Sequence, residues 1–210
     1  MNQKNGKNSL GLDACFEDVE NPIDLFRKWF AKAKESEIND PNALALATAS
    51  NTNQASVRMV LLKDLSDKGF VFYTNFNSKK SEDLKDNKNA SMCFHWKSLR
   101  RQIRITGKVE KVTDKEADSY FNSRPYKNKI GAWASSQSKI MDNRENFLKK
   151  IKELEKKYPD QNNVPRPEYW SGWRVLPSEI EFWVDVEGRV HERLNYKYKN
   201  GKWFKELLYP

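Results

Sequence analysis

The stretch ALALATASNTNQASVRMVLLKDLSDKGFVFYTN, residues 43–75, decides the fold of this chain. It holds three short segments that are apolar or alternate between apolar and polar residues, at positions 43–50, 56–63 and 69–75. Polar turn residues separate the segments, a pattern typical of β-strands that follow one another in an antiparallel sheet. The stretch therefore predicts an antiparallel meander of three strands.

Strand signals continue on both sides of a more helical middle part. The further predicted strands cover residues 90–96, 102–112, 172–176, 179–185, 192–199 and 203–207. Asn200 and Gly201 are the strongest hairpin signal in the chain, because both central positions of a type I′ turn need a positive φ. Short strands without a regular strand-helix alternation favour a mainly β (α+β) fold, an antiparallel β-barrel with flanking helices, over a doubly wound sheet.

Four helices are predicted between and beside these strands, over residues 22–36, 79–86, 114–123 and about 142–157. Asn21 followed by Pro22 fits an N-cap with proline at the first helical position, and Thr113 with Glu116 forms a capping box. The last helix is highly charged, and its predicted buried stripe consists of Phe147, Ile151 and Leu154.

The length of the chain, 210 residues, suits one well-cored domain and is too short for two domains with a linker. We expect that domain over residues 21–210. Residues 1–20 show no periodicity and predict a mobile N-terminal arm, which can order on a ligand. Only Cys15 and Cys93 are present, and no apolar leader or membrane-spanning run is found, so we expect a cytoplasmic protein without disulfides or a membrane partner.

The charge balance favours an anionic partner. The chain carries 38 Lys and Arg residues against 29 Asp and Glu residues, a formal net charge of +9, which suits nucleic acid, membrane lipid or a phosphorylated small molecule. Charge alone does not choose among these partners. Because acidic residues interleave with the basic ones and no basic stripe with aromatic platforms is present, a nucleic-acid-binding barrel ranks last.

Several kinds of site are excluded by the residue types present. The eight glycines are scattered singly, so the chain has neither a dinucleotide-binding fingerprint nor a P-loop, and side chains must hold any phosphate. His95 and His191, with two distant cysteines, offer no zinc-ligand spacing, and no serine lies in a nucleophile elbow. We therefore expect no metal site and no hydrolase.

Polar residues inside the predicted strands are the first candidates for a site. Arg58 and Lys63 bracket an apolar run that consists of Met59, Val60, Leu61 and Leu62. Both cations could point to solvent from an edge strand, or both could approach one anion. In the second interpretation a phosphate cradle without glycine forms, and its further donors are Tyr73, Thr74, Lys79 and Lys80.

Two later strands carry further candidates. Gln102 and Arg104 share one strand face, and an amide that faces a barrel interior can read the donors and acceptors of a heterocycle. Arg189, His191 and Arg193 occupy alternate positions, so on a strand they line one face. A charged, solvent-facing strand is the alternative for both patterns; otherwise an anion or an electron-rich ring must lie among the last three residues.

Near the C-terminus the residues form a recognisable signature. Residues 180–183, IEFW, followed after five residues by residues 189–193, RVHER, resemble the C-terminal signature of the pyridoxamine/pyridoxine 5'-phosphate oxidase family. The resemblance extends over residues 21–209. Its other blocks stand in the family's order at residues 58–63, 73–80, 123–125 and 130–133 and at Gln137 with Ser138.

The resemblance implies a split-barrel flavoprotein, a homodimer with two FMN molecules in the clefts between its subunits. The implied FMN contacts are Arg58, Met59, Val60, Leu61, Leu62, Lys63, Tyr73, Thr74, Lys79, Lys80, Gln102, Gln137, Ser138, Trp183 and Arg193. The implied substrate contacts are Lys63, Tyr120, Arg124 and Asn128, together with Arg189 and His191, which match the catalytic pair over the reacting carbon.

The implied reaction is the oxidation of pyridoxamine 5'-phosphate and pyridoxine 5'-phosphate to pyridoxal 5'-phosphate, with hydride transfer from substrate C4′ to flavin N5. Reoxidation by O2 gives hydrogen peroxide. The chain departs from the family's common pattern at Lys79, where many relatives have Arg, at Asn128, commonly Ser, and in the tail over residues 206–210. A noncatalytic flavin or pyridoxal phosphate carrier on the same barrel is the second interpretation.

Overall fold

A computed structural model describes residues 6–210 of the chain. The helices are α1 (Pro22–Ser36), α2 (Lys79–Asp86), α3 (Asp114–Ser123), α4 (Tyr126–Ala134) and α5 (Arg144–Lys157). The strands are β1 (Ala43–Ala49), β2 (Ala55–Leu61), β3 (Asp64–Ser66), β4 (Gly69–Asn75), β5 (Asn89–Trp96), β6 (Arg101–Lys111), β7 (Trp170–Val184), β8 (Glu192–Lys199) and β9 (Lys202–Leu207). None of the helices in this part of the chain combines the length and apolarity that a membrane span needs.

The strands form one curled antiparallel sheet. Its order is β2-β1-β5-β6-β7-β4-β3, with β8 paired to β7 and β9 paired to β8. The 15-residue strand β7 pairs with β6, with β4 through its first half, and with β8 through its second half. Only Leu62 and Lys63 separate β2, at one end of this order, from β3, at the other end, so the sheet curls until its two ends approach each other. The result is the predicted split barrel, a half-barrel with flanking helices.

The predicted meander is only half right. Strands β1 and β2 pair as a hairpin, but β4 pairs with β7 and β3 instead of β2. Part of the reason is Gly172, which stands opposite Tyr73 in the register of β7 and β4. A Cβ on Gly172 would lie 2.9 Å from the Tyr73 ring, so the close approach of β4 depends on a glycine far away in the sequence.

Aromatic side chains fill the space between α1 and the sheet. Phe26 lies edge-on to Phe70, with ring centroids 4.9 Å apart, and to Phe94, at 5.1 Å. Trp29 makes a similar contact with Phe182 at 5.1 Å. Because aromatic rings bury large apolar areas, this cluster fixes α1 across the open side of the half-barrel.

The segment that precedes α1 contacts the main core. Residues 1–5 of the predicted arm lie outside the described residues, whereas residues 6–20 run along α1 and β8. Phe16 is fully buried in the core, and the hydroxyl of Tyr196 donates to the carbonyl of Val19 at 3.0 Å. Single anchors of this kind leave no periodic pattern in the sequence. That the arm moves stays a prediction, as does the domain over residues 21–210.

Two predicted strands, residues 172–176 and 179–185, are one continuous strand in the structure, β7. Pro177 does not interrupt it, because the register of β6 against β7 shifts next to Gly107. A Cβ on Gly107 would lie 2.0 Å from the carbonyl oxygen of Leu176. The bulge and the glycine together let the strand continue past the proline.

Three further details differ from the sequence analysis. Strand β3 and helix α4 are additional to the predicted elements, and α5 begins at residue 144 rather than about 142. The predicted buried stripe of α5 is wrong, because none of the helix's residues is buried. Its Ile151 and Leu154 are half-buried and pack against a satellite cluster built from Phe121, Ile130, Val164 and Trp170.

Candidate active site

A cleft of about 1150 Å³ opens beside β2, β4 and the first turns of α2. It gathers nearly all candidates from residues 58–80 and 120–138, namely Arg58, Met59, Val60, Leu61, Lys63, Tyr73, Thr74, Lys79, Lys80, Tyr120, Arg124, Asn128, Gln137 and Ser138. Leu62 is the exception, because its side chain is buried in the hydrophobic core. Arg58 and Lys63 thus line the same cleft, and that both approach one anion stays a prediction.

Lys80 is a buried cation at one end of the cleft, only 7% exposed. Its Nζ donates to Thr74 Oγ1 at 3.2 Å, to Ser78 Oγ at 3.3 Å and to Gln137 Oε1 at 3.2 Å. All three acceptors are neutral. Burial, helped by the charge of Arg58, lowers the pKa of Lys80 to about 8. Burying an ammonium group without a carboxylate partner is unfavourable, and an anion bound next to it would stabilise its charge.

Arg58 lies beside Lys80 and is held by neutral groups as well. Its Nη1 donates to Thr48 Oγ1 at 2.8 Å and to the carbonyl of Leu46 at 3.1 Å, and its Nη2 contacts Ser56 Oγ. Burial lowers the pKa of Arg58. Because α2 starts directly after β4, its positive helix end also faces this part of the cleft, where it favours an anion.

Arg124 provides a second, separate cationic point in the cleft. It follows α3 directly, and its guanidinium lies over the Trp170 ring, 4.7 Å from the centroid. Its Nη1 is buried and has no hydrogen-bond partner among the described residues. Burial lowers the pKa of this group. An orphaned guanidinium nitrogen in a cleft fits an oxyanion that the ligand brings.

Aromatic rings form a wall next to Arg124. Tyr73 stacks on Tyr120, with ring centroids 4.1 Å apart, and on Trp170, at 5.4 Å. Burial raises the pKa of Tyr73 to about 12, so its hydroxyl stays protonated at neutral pH. The wall offers planar ligands an aromatic surface next to Arg124. Trp170 is not among the predicted site residues, because nothing in the sequence around the first residue of β7 distinguishes it from a core tryptophan.

Three of the remaining candidates lie on the outward face of the sheet, away from the cleft lining. Gln102, Trp183 and Arg193 stand opposite one another across β6, β7 and β8. Their neighbours Ile103 and Phe182 point into the core. The hypothesis that Gln102 faces the barrel interior is therefore wrong, because strand alternation gives the interior to Ile103.

Arg193 is fixed in this row by two acceptors. Its Nε donates to Glu181 Oε1 at 2.9 Å, and its Nη1 donates to the carbonyl of Tyr209 at 2.8 Å. Glu181 also accepts from Arg104 Nη1 at 3.1 Å. Arg193 is thus held in a fixed position on the outward face. A fixed position suits a residue that contacts a ligand held by another chain.

Arg189 and His191 do not lie on a strand, so their predicted alternation with Arg193 is wrong. Residues Glu187–Arg189 form a 3-10 turn, in which Gly188 has φ 76° and Arg189 has φ 62°, and β8 begins only at Glu192. The left-handed backbone conformation breaks the strand period. His191 nevertheless joins the row, because its ring lies against Trp183 with centroids 4.8 Å apart.

Solved structures share this fold. One is the crystal structure of PhzG from Burkholderia lata in complex with tetrahydrophenazine-1-carboxylic acid; its TM-score is 0.88 at 29% identity, covering 98% of this chain and 100% of that chain. A second is a pyridoxamine 5'-phosphate oxidase-related, FMN binding protein from Nostoc punctiforme, with a TM-score of 0.71 at 15% identity, covering 88% and 97%. The fold of this chain is therefore that of the split-barrel proteins.

Sequence profiles identify the family within that class. The profile described as "Pyridoxamine 5'-phosphate oxidase" matches residues 30–158, and the "Pyridoxine 5'-phosphate oxidase C-terminal dimerisation region" matches residues 170–210. The chain therefore belongs to the pyridoxamine 5'-phosphate oxidase family. Two relatives bear the name pyridoxine/pyridoxamine 5'-phosphate oxidase. The one from Pelagibacter ubique is 59% identical over 98% of this chain and 100% of its own length, and the one from Bartonella quintana is 50% identical over 97% and 99%.

Proposed function

We propose that this protein is an FMN-dependent oxidase that converts pyridoxamine 5'-phosphate and pyridoxine 5'-phosphate to pyridoxal 5'-phosphate. One structural observation carries the proposal: the cleft holds two separate cationic points, Lys80 and Arg124, and neither has a carboxylate partner among residues 6–210. Cofactor and substrate each bring one phosphate, so the two points match the two ligands. One relative that bears the name of this activity is 59% identical over nearly the whole chain.

The cofactor's phosphate belongs at the end of the cleft that holds Arg58, Lys79 and Lys80. FMN ends in a phosphate monoester, which carries a charge of about −1.5 to −2 at neutral pH. Thr74 and Gln137 meet at Lys80 and offer further polar contacts. This end of the cleft would hold FMN in preference to riboflavin, which lacks the phosphate.

The substrate's phosphate belongs at Arg124. Tyr120, Asn128 and Lys63 line the same cleft. The stacked rings of Tyr73 and Tyr120 orient a planar pyridine between the two phosphates. These residues bind and orient the substrate, and the proposal assigns no proton transfer to them.

We call Gln102, Trp183, His191 and Arg193 the outward row. This row completes the site from a second copy of the chain. The protein is a homodimer through its C-terminal region. Gln102 and Trp183 lie on the same sheet face as Val57 and Met59, which are exposed on the edge strand β2. A two-fold dimer brings the same face of both copies together. The row of one copy then covers the cleft of the other, so that each dimer has two sites.

Flavin, when bound, would supply a two-electron acceptor for the C4′ hydride of the substrate, with O2 as the final oxidant and hydrogen peroxide as its product. The alcohol or amine proton would leave to solvent, and the imine formed from the amine would be hydrolysed to aldehyde and ammonia. The guanidinium of Arg193 stabilises negative charge that develops on a ring beside it. Arg189 and His191 orient the pyridine and shield it from water, because orientation lowers the barrier without requiring a strong base. Cys15 and Cys93 are free thiols, which agrees with our further proposal that the protein works in the reducing cytoplasm.

A turnover assay tests the proposal. Purified protein is incubated with FMN and either pyridoxine 5'-phosphate or pyridoxamine 5'-phosphate, and aldehyde formation is followed. We expect product from at least one of the two; the absence of product from both would reject the oxidase. Arg189→Ala separates an oxidase from a carrier. If the protein is a carrier, the variant should bind its ligand as the wild type does. If it is an oxidase, the variant should keep FMN but form aldehyde more slowly.

A further inference from the structure

A buried carboxylate lies next to the cations of the cofactor phosphate end. Asp83, in the second turn of α2, is 3% exposed. Its Oδ1 accepts from Lys79 Nζ at 2.7 Å, and its Oδ2 accepts from Thr48 Oγ1 at 2.7 Å. A fixed negative charge close to a bound phosphate weakens phosphate binding by repulsion. We therefore expect Asp83 to make a favourable contribution at this site that offsets the repulsion.

The hydroxyl of Thr48 connects this carboxylate to Arg58. A hydroxyl has one proton, and Thr48 gives it to Asp83, so the Thr48 oxygen is left to accept from Arg58 Nη1, at 2.8 Å. Lys79, Asp83, Thr48 and Arg58 thus form one chain of hydrogen bonds with a defined direction. Asp83 holds Lys79 directly and Arg58 through one neutral side chain.

The carboxylate also sets the net charge of this end of the cleft. Three cations, Arg58, Lys79 and Lys80, stand against the one carboxylate of Asp83. Two net positive charges remain, which match the charge of about −1.5 to −2 on a phosphate monoester. Three uncompensated cations would repel one another and lose their fixed positions.

We propose that Asp83 is a positioning residue for the phosphate of the cofactor, which orients Lys79 directly and Arg58 through Thr48 and balances the charge of their site. The inference rests on the proposed function, because it takes FMN as the ligand of this end of the cleft.

The test measures the dissociation constants of FMN and riboflavin for apoprotein, by quenching of flavin fluorescence. Asp83→Asn keeps the shape of the side chain and removes its charge. We expect FMN affinity to fall about tenfold, the effect of one lost charge-assisted hydrogen bond, while riboflavin affinity changes less than about twofold because riboflavin has no phosphate. Unchanged or higher FMN affinity would overturn the inference, since pure repulsion predicts an increase.

Thr48 supplies a test that leaves every charge in place. Thr48→Val removes the link between Asp83 and Arg58, and we expect it to weaken FMN binding, whereas Thr48→Ser keeps the hydroxyl and the wild-type affinity. In the double variant with Asp83→Asn the losses should be less than additive, because both substitutions break one chain of contacts. Equal FMN affinities for Thr48→Val and Thr48→Ser would show that Asp83 does not act on Arg58 through the Thr48 hydroxyl. This comparison remains valid even if Asp83→Asn does not fold.

A matched control lies one residue away. Glu82 is on the same helix, is half-exposed and forms its ion pair with Lys139. Glu82→Gln therefore removes an equal charge without breaking any hydrogen bond among Lys79, Asp83, Thr48 and Arg58. We expect its FMN affinity to stay within about twofold of wild type. Wild-type protein that fails to bind FMN would defeat the proposed function itself, whereas tight wild-type binding with indifferent Asp83 and Thr48 variants would defeat only the role of Asp83.

Discussion

Replacing Lys80 by methionine tests the electrostatics of the cleft. In the folded apoprotein, burial and, to a lesser degree, the charge of Arg58 lower the pKa of Lys80 from 10.5 to about 8. The unfolded chain keeps this proton up to a pH near 10.5, whereas the folded chain releases it near pH 8. Between these values the unfolded state binds more protons, so Lys80 makes stability rise with pH.

The difference between the two pKa values sets the magnitude. The interval from 10.5 to about 8 corresponds to about 3 kcal/mol of unfolding free energy. Lys80→Met removes the titrating group and keeps a similar volume. Relative to this variant, we expect the wild-type apoprotein to gain up to about 3 kcal/mol between about pH 7 and about pH 10.5.

Urea denaturation of both apoproteins, at equal protein concentration and followed by tryptophan fluorescence, measures this gain. Subtracting the variant removes the contribution of every other titrating group. A difference between wild type and Lys80→Met that does not change with pH would refute the reasoning. The same proton predicts that FMN affinity of the wild type falls above about pH 8 by up to tenfold per pH unit, because phosphate prefers the charged lysine; Lys80→Met should lack this slope.

Three other substitutions have defined outcomes. Arg124→Met should lower kcat/KM for the phosphorylated substrates about tenfold to a hundredfold, through the loss of a charge-assisted bond, and leave apoprotein stability unchanged or higher, because it removes a buried guanidinium nitrogen without a partner; a variant with wild-type kcat/KM contradicts its role. Phe26→Ala should destabilise the protein by about 3–5 kcal/mol in urea unfolding, and a cost below about 1 kcal/mol would contradict its central place in the core. Gly107→Ala should cost more than about 2 kcal/mol in the same assay, because its Cβ meets a backbone oxygen, and an unchanged midpoint would show that the bulge is not constrained.

Local signals in the sequence predicted local structure well. The capping box of Thr113 and Glu116 forms as expected and starts α3 at the predicted residue. The hairpin at Asn200 and Gly201 forms with positive φ at both residues. Each of these features is determined by residues a few positions apart in the sequence, so the local sequence pattern is enough to predict it.

Features that depend on distant residues could not be predicted in this way. The partner of β4 depends on Gly172, about a hundred residues later, and the length of β7 depends on a bulge at Gly107 in another strand. The turn at Gly188 was missed because three alternating basic residues fit a strand equally well. The family resemblance supplied the list of site residues, whereas the structure divided that list into a cleft and an outward row.

Asp83 shows the limit of reasoning from residue types. A carboxylate four residues after a lysine on a charged helix is an ordinary surface pair in sequence. The structure buries it between Lys79 and Thr48. Its role becomes visible only when β1, β2 and α2 are seen to meet.

Subunit complementation tests the central claim, that the cleft of one copy works with the outward row of the other. Arg124→Met impairs the cleft and Arg193→Ala impairs the row. Dimers with one subunit of each kind are prepared by co-expression with two affinity tags. Each such dimer has one site with both defects and one with neither, so we predict about half of the wild-type activity per mixed dimer, far above either parent. Mixed dimers no more active than the parent dimers would show that cleft and row act within a single chain, and would contradict the account.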